Sequence, residues 1–583
     1  MWLTIVSSLL LLYAVHYLMQ IARNLVVARR TGLPYFISPF SFGILPTILY
    51  TTKWFPYIIN NYLPGSVADN LNDVIWSNRW QTKDRQVKRY GGVYLTVTAR
   101  AVMCNVGDAA VVGQIFGGRF PKPIWQYEAI DLYGPNVVVC EDAQWGPYRR
   151  MVGSIFNEKN NNLVWNESIR LVNGMVEHWK DSSTVDDSEG LLVKTIRDDI
   201  LKFALNIFCG AGFGVRMPFK VFDKDCADVE GPYGVFQDTK TPPDGFNFTF
   251  RSVVAYMSLK INTVVLANVF IPKWVPRGLL PFLKKDFAAH RDLLGYLKRL
   301  LSLAESRDTA TASNLIEEMS KDRNRNETSK EGRLSDLEII SNAHIFTIAG
   351  HETTATTLRY SLLLMALHQD VQEWVYQGIM EAIKDEPANV VDWDYATVYP
   401  KLVTPLCVML ETLRLYPPAV TIPKWTGDSM RTINYQDKYI VLDHKVNVNM
   451  NLNALHYSEK YWGTDVGVFN PLRWDAANKE SFLARNADMP GLVAPGLEYR
   501  TIHRPVRGAY IPFSDGLRAC IGKKFAQVEF VVALAVILRQ YRLELPQGDE
   551  KSRQEAQKAL DASFTIVALA MEDDLPLVFR ERL

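Results

Sequence analysis

The sequence predicts a mainly α-helical catalytic domain with small β-sheets, of the α+β class, preceded by an N-terminal transmembrane helix. Three observations predict it. Long segments with apolar residues at helical spacing dominate the second half of the 583-residue chain. One short stretch before residue 110 is rich in β-branched and aromatic residues. The first two dozen residues hold an apolar run free of Asp, Glu, Lys and Arg. Composition sets the outer limits: 48% hydrophobic and 22% charged residues describe a folded globular chain with no disordered majority. A formal net charge of +1 gives no reason to expect a nucleic-acid partner. The six cysteines, Cys104, Cys140, Cys209, Cys226, Cys407 and Cys520, show neither a CxxC pair nor a regular spacing. That pattern argues against a disulfide framework or a zinc site and for a reducing compartment.

Taken in order, residues 3–22, "LTIVSSLLLLYAVHYLMQIA", reach about 30 Å as a helix, enough to cross a bilayer core. The start is neutral, and Arg23, Arg29 and Arg30 follow the run. A cleaved signal peptide has the opposite order, so residues 1–30 read as an uncleaved anchor whose basic flank is cytoplasmic. Residues 31–84 read as an apolar linker, since Pro39, Pro46 and Pro56 break 36–64 too often for a second span. Its aromatic residues suit the membrane surface, with packing beneath the next domain as the alternative. Residues 85–583 then form one catalytic domain. Two short strands are expected in 91–106, and helices in 193–210, 280–304, 335–369, 370–384 and 402–416. The polar run 305–333 reads as a solvated connector, and 483–508 as an irregular insertion rich in proline and glycine.

Four places carry chemistry. In "IPFSDGLRACIGKKFA" (511–526), Cys520 precedes an apolar helix whose unpaired N–H groups favour an anionic sulfur. Gly516 and Gly522 permit tight turning and close approach of a flat partner, and Arg518 offers a forked donor for a carboxylate. In "VMLETLRLYPP" (408–418), Glu411 and Arg414 share one face of a helix that is apolar almost all round, so they are expected to be buried as a pair. In "HIFTIAGHETTATTLRY" (344–360), Gly350 and consecutive threonines interrupt a greasy helix. A threonine bonding back one turn opens a polar notch there, and Glu352 with Thr353 offers a carboxyl and a hydroxyl for moving protons. In "QWGPYRR" (144–150), Trp145 and Arg149 stand four apart and are able to bind one carboxylate jointly. His344 and His351 read as packing or solvated groups, and the other five cysteines as buried small hydrophobes.

Together these residues resemble the cytochrome P450 family of haem-thiolate monooxygenases, in its microsomal, membrane-anchored form. Phe513, Gly516, Arg518, Cys520 and Gly522 match F-x-x-G-x-R-x-C-x-G, and Glu411 and Arg414 match E-x-x-R. Ala349, Gly350, Glu352, Thr353 and Thr354 match A-G-x-[DE]-T-[TS], and "FNPLRW" (469–474) matches P-x-R-[WF]. The resemblance implies a haem (iron protoporphyrin IX) cofactor with Cys520 as axial ligand of its iron and Phe513 packed beside that ligand. It implies propionate binding by Trp145, Arg149 and Arg518, a buried Glu411, Arg414 and Arg473 network, and proton delivery to dioxygen by Thr353 with Glu352. Lys424 stands where many members place an arginine or histidine for a propionate, with a point charge in place of a fork.

No GxGxxG follows a strand, so electrons are expected from NADPH through a separate NADPH-cytochrome P450 reductase. The substrate expected is a small lipophilic molecule between walls at 343–349, 419–422 and 563–567. The expected location is the endoplasmic reticulum membrane, single-pass with a cytosolic catalytic domain, and the general likeness is to fungal members of secondary metabolism. Two rivals stand beside this reading. A haem-thiolate isomerase or dehydratase dispenses with the Glu352 and Thr353 pair, and a non-catalytic haem-binding sensor needs only the Cys520 loop.

Overall fold

The computed structural model describes the chain except residues 1, 42–48, 50–51, 53, 128–129, 154–155, 183–189, 220–232, 266, 269–270, 273, 307–313, 326–333, 476–504, 566–567 and 583. Cys226, the end of the 563–567 wall and nearly all of the 483–508 insertion therefore lie outside the described residues. Helix α1 (Trp2–Arg30) exceeds the expected span at both ends and is apolar and long enough to cross a membrane. Its outer part is exposed, whereas Ala28 is buried and Asn24 donates to Thr98 O at 2.9 Å, so the basic end docks on the next domain.

Strand β1 (Tyr35–Ile37) follows, then β2 (Val93–Val97) and β3 (Val102–Val106), the two strands expected in 91–106. β1 pairs in parallel with β2, and Arg79 is buried against Asp73 and Asn105. The 31–84 stretch thus supplies an edge strand and buried polar residues to the same body as the residues that follow 85.

Helices α2 (Asp142–Gly153) and α3 (Glu158–Ser182) lead to a short strand, β4 (Leu191–Val193), and to α4 (Ile196–Phe213). α4 starts three residues later than the expected helix because β-branched and apolar residues at its front pair with the C-terminal strand. Gly214, at φ +68°, ends it. α5 (Phe250–Leu259) and α6 (Lys284–Glu305) precede a correction: α7 (Leu315–Arg325) occupies the run read as a solvated connector, with Leu315, Ile316 and Met319 buried.

The central helix is α8 (Asp336–Leu367), 32 residues long and started by a Ser335/Glu338 capping box. It packs on α4, α6 and α10 (Val403–Leu415), with α9 (Gln369–Ala382) turning back from its end. Strands β5 (Thr421–Trp425) and β8 (Asn447–Asn451), joined through the β6–β7 hairpin (Arg431–Tyr435, Lys438–Leu442), complete a five-stranded sheet of order β1-β2-β3-β8-β5. The last long helix, α11 (Lys523–Gln540), is buried on nearly every side, and β9 (Tyr541–Glu544) and β12 (Leu577–Glu581) pair with each other, with β4 on the far edge of β12. A small hairpin, β10 (Phe564–Thr565) and β11 (Leu569–Ala570), lies between them in sequence.

Candidate active site

The loop before α11 is closed on itself. Cys520 N–H donates to Phe513 O at 2.8 Å, Ala519 N–H to Gly516 O at 3.1 Å and Ser514 N–H to Ile511 O at 2.9 Å. Ser514 (φ +61°) and Gly516 (φ +67°) both lie in the left-handed region, so glycine relieves one of the two costs. Gly522 caps α11 with an ordinary φ of −84°, and a Cβ there meets no protein atom nearer than Phe156 at 3.9 Å. Neither backbone strain nor protein packing demands glycine at 522. Its bare position keeps a face of the loop clear. Cys520 is the one exposed cysteine among the described residues, while Cys104, Cys140, Cys209 and Cys407 are buried as expected. Surrounding protein pushes the Cys520 thiol above its ordinary pKa, opposed by the Gly522 N–H and the charges of Arg149 and Lys523. A metal at the sulfur tips that balance to the thiolate.

α8 opens at a single turn. It is buried from Ile339 to Ile348 and again from Thr354 to Ala366, whereas Ala349 is exposed and Gly350, Glu352 and Thr353 are half-buried. Thr353 Oγ1 donates to Ala349 O at 3.0 Å, and Thr357 Oγ1 to Thr353 O at 2.8 Å, the back-bonding that opens a helix. Burial raises the Glu352 carboxyl to about 7, with Ser258 and Arg197 opposing. The other face of this turn meets a cavity of about 200 Å³ lined by Arg197, Ser258, His351 and Glu352. His344 and His351 are both buried, hence packing groups.

A Cβ on Gly350 would come within 2.9 Å of the Phe208 ring, so the open turn sits directly on that ring. Phe208 lies 6.0 Å from Phe525, and Phe156 lies 6.1 Å from Phe346 and 6.4 Å from Phe525. These four rings tie the open turn of α8 to the start of α11, where Phe525 stands five residues beyond Cys520.

A cationic edge borders the loop. The Arg518 guanidinium lies 4.1 Å from the Trp145 ring centre, pairs with Glu141 at 2.7 Å and donates to Cys140 O at 2.7 Å. Trp145 is thus stacked by Arg518. Arg149, one turn further along α2, is lowered by burial and has Cys520 and Arg518 as charged neighbours. Lys424 is buried with its pKa lowered by that burial, beside Glu141 and Arg518. Two residues of this edge escaped the sequence reading, Lys122 and Glu141. Lys122 stands between two prolines and Glu141 in a loop, where no periodicity marks a side chain as facing inward.

On the other side of the loop, Glu411 is fully buried. Arg414 grips it through Nε at 2.9 Å and Nη2 at 2.8 Å, Arg473 through Nε at 2.9 Å, and the Trp474 indole donates to it at 2.9 Å. Burial alone would raise its pKa, but the two guanidiniums hold it at about 2. The Trp474 donor and the Arg473 partner Asp465 (3.2 Å) are additions that spacing alone does not reveal.

The family model described as "Cytochrome P450" matches residues 70–566. The chain belongs to the cytochrome P450 family. It is thereby a monooxygenase, an oxidoreductase of a haem-dependent family. The P450 match begins inside the stretch that the fold joins to the sheet. "Cytochrome P450 monooxygenase prx9" of Penicillium rubens is 28% identical over 93% of this chain and 91% of its own length. "Phomenoic acid biosynthesis cluster cytochrome P450 monooxygenase" of Leptosphaeria maculans is 26% identical over 77% of this chain and 75% of its own. Among solved structures, the "cytochrome P450DA heme domain" superposes with a TM-score of 0.64 at 20% identity, covering 94% of this chain and 98% of that one, a likeness of fold. The site residues fit the P450 cofactor: an exposed thiol, a cleared face at Gly522 and a cationic edge suit a flat ring carrying iron and two carboxylates.

Proposed function

We propose that the protein is a membrane-anchored haem-thiolate monooxygenase that puts one atom of dioxygen into a small lipophilic substrate and reduces the other to water. Both electrons come from NADPH through a separate NADPH-cytochrome P450 reductase. The observation that carries the reading is the exposed Cys520 thiol between a cationic edge and the one open turn of α8. Cys520 ligates the iron, Trp145, Arg149 and Arg518 hold the haem carboxylates, and Phe513, Gly516 and Gly522 shape the loop against the ring. Haem supplies the binding and activation of dioxygen.

The protein's own share of the chemistry is proton handling and positioning. The Thr353 hydroxyl gives its proton to Ala349 O, so its oxygen is free to accept one from a neighbouring water. Glu352, near 7, is populated in both states at neutral pH and is suited to pass protons on. That pair favours oxygen chemistry over an isomerase or dehydratase, which has no such demand. Ala349, Ala419, Ile422 and Phe564 are the members of the expected walls that present surface among the described residues, and they are apolar. The exposed α1 supports anchoring in the endoplasmic reticulum membrane, with the catalytic domain cytosolic. A fungal relative assigned by name to a biosynthesis cluster supports a role in secondary metabolism.

The test is turnover of a lipophilic panel in membranes with reductase, NADPH and isotopically heavy dioxygen. One heavy oxygen atom is expected in the product, and Cys520→Ala is expected to lose both product and the strongly red-shifted band of the reduced carbon monoxide complex. A variant that keeps the band overturns the ligand assignment. Conversion without label favours the isomerase or dehydratase.

A further inference from the structure

The cavity of about 200 Å³ on the other face of the open turn is enclosed by α4, α5, α8 and the end of β11. It is smaller than the roughly 300–1,000 Å³ of sites for drug-sized molecules, so it suits a short chain. Leu201 and Leu205 of α4, with Ala255 of α5, give it an apolar surface. Arg197, Lys202, Arg251 and Arg359 add four cations to the same walls.

Three of those cations are committed. Lys202 at 3.0 Å and Arg251 at 2.9 Å share one oxygen of Asp238, and Arg359 holds Asp574 at 3.3 Å and Met571 O at 3.1 Å. The fourth is not. Arg197 gives its backbone N–H to Asp574 at 3.3 Å, but its guanidinium has no hydrogen-bond or ion-pair partner among the described residues. The carboxylates on the walls are Asp198, exposed and facing Asp574, and the half-buried Glu352, and neither pairs with Arg197. His351 bonds to Thr347 O through Nδ1 and is kept neutral by burial, so it adds no charge. An uncommitted forked donor beside apolar surface is the arrangement that takes a carboxylate carrying a short alkyl chain.

We propose that this cavity is a second binding site, for a short-chain carboxylate whose oxygens take the Arg197 fork and whose chain lies on Leu201, Leu205 and Ala255, with occupancy coupled to the proton on Glu352. The coupling has a definite sign. Arg197 opposes the burial that raises Glu352. A bound carboxylate offsets that cation and brings a like charge to the same carboxyl, so Glu352 keeps its proton to a higher pH when the site is filled. By reciprocity the ligand binds best with Glu352 protonated: affinity is complete below about 7 and falls as pH rises through that value. On the proton role proposed for Glu352 above, a filled site moves the alkaline loss of product per NADPH upward in pH.

The probe is sodium butyrate, titrated into the full-length haem protein at constant ionic strength, at about pH 6 and about pH 8, and followed by saturation-transfer NMR. The wild type is expected to bind saturably and several-fold tighter at the acid end. Arg197→Leu removes the fork, Ala255→Leu fills the cavity with every charge kept, and each is expected to weaken binding about tenfold. Glu352→Gln is expected to bind with no difference between the two pH values. No saturation in the wild type, or binding that survives both Arg197→Leu and Ala255→Leu, overturns the site. Equal wild-type affinity at the two pH values overturns the coupling. If Arg197→Leu yields no haem protein, Ala255→Leu carries the test. Binding needs no turnover, and the reduced carbon monoxide band is recorded on each sample: a wild type that binds butyrate without the band sinks only the Cys520 reading, and one that shows the band without binding sinks only this site.

Discussion

Glu352 sits where two residue-level demands conflict. A proton donor must be protonated to give, yet ionised to be refilled, and a carboxyl raised by burial to about 7 divides itself between the two near neutrality. Its donor form is depleted as pH rises through about 7, so product formed per NADPH is expected to fall on that limb, and Glu352→Gln is expected to lower coupling and erase the limb. An unchanged profile in the variant places the titrating group elsewhere. Thr353→Ala is expected to keep haem but release reducing equivalents as peroxide, and peroxide yield equal to the wild type counts against its proton role. Both residues were readable in the sequence because hydroxyls and a carboxyl inside a leucine-rich helix conflict with packing. Lys122 and Glu141 were not, because their meaning comes from a turn that brings residues 122, 141 and 518 together. The stacking of Arg518 on the Trp145 ring was likewise not legible, because the two residues are brought together by the fold and not by spacing.

At the level of elements, the α10 helix and the 471–474 turn are joined through one carboxylate. Glu411→Gln preserves size but leaves two guanidiniums facing a neutral partner in a dry site, with an expected loss of about 3–5 kcal/mol in urea or thermal unfolding. The Glu411 pKa is depressed in the folded state, so its contribution is present above the ordinary carboxylate range and lost as pH falls towards about 2. The variant is therefore expected to lose part of the acid-unfolding limb, and a change below about 1 kcal/mol contradicts the network's role. The long helices were legible from their apolar spacing, with ends off by up to four residues. α7 was not, since its buried Leu315, Ile316 and Met319 stand within a strongly charged run whose composition reads as solvated.

For the whole molecule, the anchor and the domain are not separated where hydropathy changes. Asn24, Ala28 and β1 belong to the packed body, although they precede the expected boundary at 85 by about fifty to sixty residues. The full chain is expected to resist extraction from membranes by alkaline carbonate, and deletion of residues 2–22 to release it with haem retained. Deletion through 37 also strips the edge strand from the sheet, and a lowered melting temperature is expected; equal temperatures for the two truncations contradict that assignment. Hydropathy reports transfer into lipid, not strand pairing, which explains why these packed residues were not legible in it.

The same sheet sets a timetable for synthesis. β3 pairs in parallel with β8, about 340 residues later in the chain. At roughly 5–20 residues per second, a ribosome delivers that partner some 20–70 seconds after the β2–β3 hairpin has emerged. Throughout that interval the inner edge of the hairpin is an open ladder, available to any chaperone that binds exposed strands.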